Sequence, residues 1–216
     1  MKYKFDKCAM RLYAVTDRTW VGDKTLLWQV EQALEGGVTC VQIREKDMEA
    51  EAFLHEAIQM KALCDRYNVP LIINDNVEIA IKSGASGVHV GQGDMPIAEV
   101  RRLAGDNLIV GVSARTVEQA LAAQEGGADY LGVGAVFGTT TKLDARPIER
   151  ETLEAICKAV DIPIVAIGGV NKENIPLLKG SGVDGVAVVS AIFAADDIKG
   201  RCVELRELSE KMVRTD

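Results

Sequence analysis

Residues 33–46 read ALEGGVTCVQIREK: the end of an amphipathic stretch, a glycine pair, a short apolar run and a charged cluster. Glycine commonly ends a helix, and a short apolar run between such signals is typical of a buried strand. The helix that ends here is expected to begin after Asp23, which can cap it. Similar alternation continues along the chain, and it predicts βα units that form a parallel sheet.

Eight apolar runs are candidates for strands. A chain of 216 residues, 48% of them hydrophobic, can build one sizeable core. We therefore predict an α/β protein, a single (β/α)8 TIM barrel over residues 1–216, because eight strands suit closure and no G-x-G-x-x-G motif follows the first run. An open, doubly wound sheet is the alternative. The candidates lie near residues 11–15, 39–44, 69–73, 87–90, 108–112, 129–133, 163–167 and 185–189.

Four short segments share one pattern, in which a glycine is followed by a small apolar residue and then by a hydroxyl or carboxyl residue. Each ends a predicted helix and begins every second strand candidate. The repeat predicts a barrel built from βαβα quarters, although a general preference for glycine in such loops would also produce it. The segments are Gly36 to Thr39, Ser83 to Ser86, Gly126 to Asp129 and Ser181 to Asp184.

Composition limits the partners of the protein. With 25 Lys and Arg against 32 Asp and Glu, the net charge of −7 argues against nucleic acid and against an anionic membrane surface. The 5 cysteines are an odd number without a C-x-x-C motif, which indicates reduced thiols. No apolar run is long enough to span a membrane. We expect a cytoplasmic protein that acts on small molecules, and the sequence is compatible with a homo-oligomer.

Gln42, Arg44 and Lys46 alternate along one strand candidate. Because successive side chains point to opposite faces, these three share a face and converge at the strand's C-terminal end, where parallel barrels carry their chemistry. A guanidinium fork, an ammonium and an amide suit a polyanionic group. The alternative is a solvated strand end in which Glu45 and Asp47 serve as ion-pair partners.

Asn74, Asp75 and Asp94 follow two neighbouring strand candidates. Two carboxylates are therefore expected close together over the barrel mouth. Mg²⁺ is usually held by one or two carboxylates, while phosphate oxygens and water complete its octahedron. These residues could instead only cap the helices that begin near Val77 and Pro96. The cations expected nearby favour the metal site.

The segment from Gly138 to Pro147 is the longest one without a helix or strand pattern after a strand candidate. Long ordered loops in compact proteins are often lids or binding loops. Hydroxyls followed by an ammonium can bind an anion and bring positive charge over it; a surface loop without a ligand is the alternative. The residues concerned are Thr139, Thr140, Thr141 and Lys142.

Gly168-Gly169 and Val189-Ser190 follow the last two strand candidates. This is the place where TIM barrels commonly bind a phosphate monoester through backbone N–H groups, and glycine permits the close approach. The sequence thus predicts a monophosphate site separate from the metal-assisted one. His55 and His89 fall within a predicted helix and a predicted strand, so we expect structural roles for both.

Taken in chain order, these motifs resemble those of the thiamine-phosphate synthase family, and the similarity runs from Leu12 to Ile192. The resemblance implies condensation of 4-amino-2-methyl-5-(diphosphooxymethyl)pyrimidine with a thiazole phosphate, which gives thiamine phosphate and pyrophosphate. The matching motifs are Gln42-x-Arg44-x-Lys46, Asn74-Asp75, Gly91-Gln92-x-Asp94, Gly111-x-Ser113, Thr139-x-Thr141-Lys142, Ile167-Gly168-Gly169 and Val188-Val189-Ser190-Ala191.

The same resemblance implies a role for each site residue. Asp75 and Asp94 would hold Mg²⁺, and the catalytic residues would be Lys142, Arg44 and Lys46. Pyrophosphate would leave first, and the thiazole nitrogen would then capture a pyrimidine methyl cation. The pyrimidine diphosphate would be bound by Gln42, Arg44, Lys46, Asn74, Ser113 and Lys142. The thiazole phosphate would be bound by Thr139, Thr140, Thr141, Gly169, Val189 and Ser190.

Two other functions remain as alternatives at this point. A thiazole tautomerase of the same superfamily resembles the synthase but has no diphosphate to activate. A non-catalytic sensor of phosphorylated metabolites would need the phosphate site but no metal pair. Arg44, Asp75 and Lys142 favour the synthase, since each suits a diphosphate.

Overall fold

The barrel is closed. The computed structural model of the protein describes residues 6–138 and 147–214. Within those ranges eight parallel strands pair in chain order, and the last pairs with the first. The predicted (β/α)8 barrel is confirmed, and the open sheet is wrong. The strands are β1 (Leu12–Val15), β2 (Cys40–Ile43), β3 (Leu71–Asn74), β4 (Gly87–Val90), β5 (Ile109–Ala114), β6 (Tyr130–Gly134), β7 (Ile164–Ile167) and β8 (Gly185–Val188).

Helices surround the barrel. They are α1 (Leu26–Glu35), α2 (Ala50–Arg66), α3 (Val77–Ser83), α4 (Ile97–Ala104), α5 (Val117–Glu125), α6 (Arg150–Ala159), α7 (Ser190–Phe193) and α8 (Ile198–Val213). The connection from β7 to β8 contains a 3₁₀ turn, Ile175–Leu178, and two helices follow β8. None of the helices in the described ranges combines the length and the apolar character that a membrane span requires.

The fourfold repeat in the sequence corresponds to a repeated contact at the N-terminal end of the barrel. The second residue of each segment is a glycine with positive φ, between 69° and 94°. The fourth residue donates its backbone N–H to a carbonyl on the preceding strand, and its side-chain oxygen accepts the N–H of that same residue. A glycine preference alone would not produce these paired bonds. The pairs are Thr39 with Leu12, Ser86 with Leu71, Asp129 with Val110 and Asp184 with Ile164.

Helix α1 begins two residues later than its expected cap. The hydroxyl of Thr25 accepts the backbone N–H of Trp28 at 3.1 Å, so Thr25 is the N-cap. The prediction of Asp23 is wrong because this residue lies in the turn before the cap, where its exposed carboxylate is 3.8 Å from Lys24 Nζ. A neighbouring pair of capping candidates two residues apart cannot be ranked without the backbone path.

Two cores result from the alternation of side chains along the strands. The larger core fills the space between the strands and the helices. The smaller one fills the barrel interior, where Tyr13 and Tyr130 are its largest side chains and are at most 1% exposed. The interior is therefore packed, as is usual in small barrels, and leaves open space only at the ends. The interior set is Met10, Tyr13, Val15, Cys40, Ile72, Ile109, Tyr130, Val165 and Ala187.

Gly111 makes room for the Tyr130 ring, and this gives a first prediction. A Cβ atom at Gly111 would lie 2.1 Å from Cζ of Tyr130, which is too close for real atoms. Replacing Gly111 with alanine should lower the free energy of unfolding by about 1–3 kcal/mol, since overpacking forces shifts in a filled interior. Urea denaturation measures the change. Gly93→Ala is the control, because a Cβ at Gly93 has nothing within 4 Å; equal loss in both variants would contradict the packing argument.

Candidate active site

A cavity of about 410 Å³ opens at the C-terminal end of the barrel. All eight strands or the residues directly after them contribute to its wall. Seven of the residues predicted to bind substrate meet here, although they are spread from residue 42 to residue 190. They are Gln42, Arg44, Asn74, Ser113, Gly169, Val189 and Ser190.

A chain of side-chain hydrogen bonds crosses the floor of this cavity. Nε2 of Gln42 lies 2.7 Å from the hydroxyl of Tyr13, which lies 2.7 Å from the hydroxyl of Tyr130. That second hydroxyl is 2.9 Å from Nδ1 of His89, and Nε2 of the imidazole is 2.9 Å from Oγ of Ser113. We call these five residues the polar chain. It connects strands β2, β1, β6, β4 and β5 through the barrel interior.

Burial keeps the titratable members of the polar chain uncharged. It lowers the pKa of His89 to about 4, and an Asp94 charge opposes this only in part. It also raises the pKa values of Tyr13 and Tyr130 well above the ordinary tyrosine value. A structural role for His89 was predicted, and the histidine is indeed buried, but its neighbours in the polar chain also place it on the cavity wall.

The two carboxylates predicted to hold a metal lie together at the mouth of the barrel. Asp75 follows β3, and its backbone N–H donates to the carbonyl of His89 at 2.8 Å, so β3 and β4 stay side by side beyond their last ladder residues. Partial burial raises the pKa of Asp75 to about 6, and a hydrogen bond and like charge from Asp94 add to the shift. Asn74 and Arg44 oppose it.

Neither carboxylate serves as a helix cap. Asn76 caps α3, since its side chain accepts the N–H of Ile79 at 2.9 Å. Asp94 instead accepts the N–H of Gly91 at 2.7 Å, and α4 has no side-chain cap. Asp75 has φ of +63°, a conformation that is uncommon for residues other than glycine and is found at functional sites more often than elsewhere. The alternative of a simple capping role is thus wrong for this pair.

Arg44 reaches the same region from β2. Its backbone N–H donates to the hydroxyl of Thr16 at 3.1 Å, which fixes the start of the loop after β2. Glu45 does not compensate the Arg44 charge, because it pairs with Arg18 at 2.9 Å. Within residues 6–138 and 147–214 no carboxylate lies within 4.0 Å of the Arg44 guanidinium. The guanidinium therefore supplies positive charge to the cavity next to Asp75.

A second cavity, of about 400 Å³, adjoins the first where β7 and β8 end. Gly169 and Ser190 border both cavities. A Cβ on Gly169 would lie 2.1 Å from the carbonyl oxygen of Gly138, and φ of Gly169 is +67°, so only glycine fits. Arg201 of α8 also lines this cavity, and sequence reasoning missed it because helix α8 follows the last motif. A small cavity of exposed backbone and one cation suits a phosphate monoester.

Some predicted residues are not brought to the cavities. Lys46 is exposed and does not line either of them. Asp75 and Asp94 lie at the rim rather than in the wall. Thr139, Thr140, Thr141 and Lys142 lie outside the described residues, so their predicted roles stay predictions. In the other direction, Tyr13 and Tyr130 were missed as site residues, although their inward positions in two strand candidates were available as a signal.

Comparison with known proteins places these cavities in a family. Residues 12–192 match the family model described as thiamine monophosphate synthase. The chain is 51% identical over 208 residues to the thiamine-phosphate synthase of Ruminiclostridium cellulolyticum, an alignment that covers 96% of this chain and 98% of that one. It is 50% identical over 194 residues to the enzyme of the same name from Clostridium tetani, covering 90% and 93%.

A solved structure agrees with these matches. The thiamine phosphate pyrophosphorylase from Pyrococcus furiosus superimposes with a TM-score of 0.89 at 38% identity, over 96% of this chain and 99% of that one. The fold, the order of the motifs and the similarity over nearly the full length therefore lead to one assignment. The chain belongs to the thiamine-phosphate synthase family.

Proposed function

We propose that this chain transfers the pyrimidinylmethyl group of 4-amino-2-methyl-5-(diphosphooxymethyl)pyrimidine to the nitrogen of a thiazole phosphate, with release of pyrophosphate. Its family makes it a transferase of thiamine biosynthesis that acts on small molecules. The observation that carries the proposal is the pair of adjoining cavities at one end of the barrel, which share Gly169 and Ser190. One cavity has a cation and a carboxylate pair at its rim, and the other suits a monophosphate.

We further propose that the transferase requires Mg²⁺, which Asp75 and Asp94 would hold. The fit rests on the chemistry of the pair: two carboxyl groups close enough to share a proton suit a divalent cation. The described residues contain no cluster of three or more His, Cys, Asp and Glu side chains that could hold a metal, so substrate oxygens and water would fill the remaining positions. When bound, Mg²⁺ would neutralise charge on the diphosphate and on the pyrophosphate that leaves.

The residues of the chain supply binding and charge rather than a base. Arg44, and by resemblance Lys46 and Lys142, would stabilise the negative charge that grows on the leaving pyrophosphate. Gln42, Asn74 and Ser113 would hold the pyrimidine diphosphate in the larger cavity.

A dissociative reaction of this kind needs no general base at the breaking bond. It needs a thiazole nitrogen held close to the methylene carbon, and the adjoining cavity supplies that position. There the thiazole phosphate would be held by Thr139, Thr140, Thr141, Gly169, Val189 and Ser190.

The two alternative functions fit the site less well. A tautomerase has no diphosphate, and a sensor needs no metal pair, yet Arg44, Asp75 and Asp94 gather at one rim. The test is to incubate the protein with both substrates, with and without Mg²⁺, and to measure thiamine phosphate and pyrophosphate. We expect both products in equal amounts and only with the metal. Isomerised thiazole phosphate, or binding of the phosphate without turnover, would support the tautomerase or the sensor instead.

We also propose a cytoplasmic location. All five cysteines are free, as is usual where thiols stay reduced. Self-association of the chain stays a prediction, which sedimentation would test.

Replacing Ser190 with alanine should raise the KM for the thiazole phosphate more than it lowers kcat. The hydroxyl lies in the monophosphate cavity, on the other side of the barrel mouth from the carboxylate pair, and its contact would persist throughout the reaction. Loss of a hydrogen bond to a charged group predicts an increase in KM of about 10-fold to 100-fold. Steady-state kinetics with each substrate in turn measures the effect.

The control is Ser83→Ala, which removes a buried hydroxyl bonded to the carbonyl of Ala80, remote from both cavities. The pyrimidine diphosphate KM should stay close to the wild-type value in both variants. A large fall in kcat at unchanged thiazole phosphate KM would contradict the independence of the monophosphate site.

A further inference from the structure

The polar chain has one direction. Gln42 contributes its amide nitrogen, which can only donate, so the hydroxyl of Tyr13 accepts from it and passes its own proton toward Tyr130. The hydroxyl of Tyr130 in turn donates to Nδ1 of His89. In a neutral imidazole the other nitrogen then carries the proton, and it donates to Oγ of Ser113. Every link follows from the orientation of the first amide.

The ends of the polar chain border the cavity, whereas its centre is sealed. Gln42 and Ser113 both line the cavity, but Tyr130 does not and is fully buried. With the links in the stated direction, the amide of Gln42 has its oxygen left to accept, and the hydroxyl of Ser113 has its proton left to donate. The two ends thus offer a ligand one acceptor and one donor, and the direction of the chain decides which end offers which.

The barrel sequence accommodates this arrangement at a structural cost. Interior layers of such barrels are usually filled by branched aliphatic side chains. Here two phenols and an imidazole occupy the layer, and Gly111 and Gly132 leave space for them: a Cβ at Gly111 would overlap the Tyr130 ring, and one at Gly132 would lie 3.1 Å from the His89 ring. A buried polar network is tolerated only when its members are satisfied, and all four links here are 2.7–2.9 Å.

We propose that the polar chain acts as one unit that selects the heteroaromatic ring, with Tyr13, Tyr130 and His89 as positioning residues. By fixing an acceptor at Gln42 and a donor at Ser113, it favours a ring that presents an amino group beside a ring nitrogen over one of the same shape without the amino group. This proposal rests on the proposed function for the identity of the ring. The mutual fixing of the two ends depends only on the contacts within the protein.

The decisive variant is Tyr130→Phe, which removes the central hydroxyl and keeps the ring that fills the space beside Gly111. Its links to Tyr13 and His89 are then lost, so neither the Gln42 amide nor the His89 tautomer remains fixed. The probes are 4-amino-5-hydroxymethyl-2-methylpyrimidine and the same alcohol without its amino group, whose affinities are measured by calorimetry. We expect wild type to prefer the amino compound and the variant to lose about tenfold of that preference, the size expected for one hydrogen bond to an uncharged group.

A second readout does not involve a ligand. The ¹⁵N chemical shifts of His89 should report the tautomer protonated at Nε2 in wild type and a mixture of both tautomers in Tyr130→Phe. Tyr67→Phe, on the outer surface after α2, is the control and should change neither measurement. If Tyr130→Phe does not fold, Tyr13→Phe breaks the adjacent link and takes its place.

The outcomes separate this proposal from the proposed function. An unchanged preference in a folded variant, or a wild-type His89 protonated at Nδ1, would overturn the selecting role of the polar chain whether or not the enzyme makes thiamine phosphate. Absence of turnover in wild type, together with the expected tautomer and ring preference, would overturn the proposed reaction alone. A purely structural network would lower the melting temperature of the variant and leave the preference as it was.

Discussion

Replacing Arg44 with alanine is expected to lower kcat by about 10²–10³, the size found when one preorganised donor to developing charge is removed. The guanidinium lines the larger cavity, and its charge favours the ionised form of Asp75 at the rim. No carboxylate of the described chain neutralises it by an ion pair, since Glu45 is occupied by Arg18. The charge is therefore available to a leaving pyrophosphate. Single-turnover measurement of pyrophosphate release isolates the chemical step.

Two further variants make this result specific. Arg44→Lys keeps the charge but loses the planar fork, so an intermediate loss is expected. Arg102→Ala removes a side chain that is 69% exposed on α4 and should leave kcat unchanged. A kcat near the wild-type value for Arg44→Ala would mean that other cations neutralise the leaving group. Lys46 and Lys142, whose roles come from the family resemblance, would then be the residues to replace.

The sequence predicts the fold well because its signals are local. Apolar runs separated by glycine and by amphipathic stretches locate all eight strands, and the strand centres differ from the prediction by a residue or two. β3 begins at Leu71 rather than near residue 69, because Pro70 has no N–H for a ladder and only its carbonyl takes part, accepting from Val41. β5 extends to Ala114, which no turn signal in the sequence excluded.

The site is predictable where it depends on strand order and is missed where it depends on closure. Asp75 and Asp94 follow adjacent strands, so sequence alone brings them together. The link between Tyr13 and Tyr130 joins residues 117 positions apart, and it exists only because the barrel closes in one register. A pattern of inward residues gives the layer but not which of its members touch. Arg201 was missed for a similar reason, since it enters from a helix rather than from a strand end.

Asp75→Asn and Asp94→Asn are each expected to abolish the mutual dependence of Mg²⁺ and pyrophosphate binding. In wild type the two carboxyl groups repel each other and share a proton, and a divalent cation would relieve both effects. Two carboxylates leave most of an octahedron to be filled by water and substrate oxygens, so metal and diphosphate should each strengthen the binding of the other. A coupling of about 5-fold to 150-fold is typical, and it must be reciprocal. Loss of kcat should exceed about 10², since several kcal/mol of charge stabilisation depend on the metal.

The direction of the pH dependence follows from the same pair. Burial and Asp94 raise the pKa of Asp75 to about 6, so below that pH the site holds a proton that a metal must displace. The Mg²⁺-dependent gain in pyrophosphate affinity should accordingly be full above pH 7 and decline as the pH falls through 6. In either asparagine variant the shared proton is gone, and the small remaining gain should not follow this profile.

Calorimetric titration of pyrophosphate, with and without Mg²⁺, decides the matter without any need for turnover. Asp106→Asn is the control, because this exposed residue follows α4 and lies outside both cavities. It should retain the full coupling, and its fold and those of the two site variants should stay intact, since the apolar core lies elsewhere. Coupling that persists in Asp75→Asn and Asp94→Asn would show that Mg²⁺ enters with the diphosphate alone. The carboxylate pair would then need a different explanation, because two like charges at a barrel mouth, one of them on a left-handed backbone, weaken the fold when nothing neutralises them.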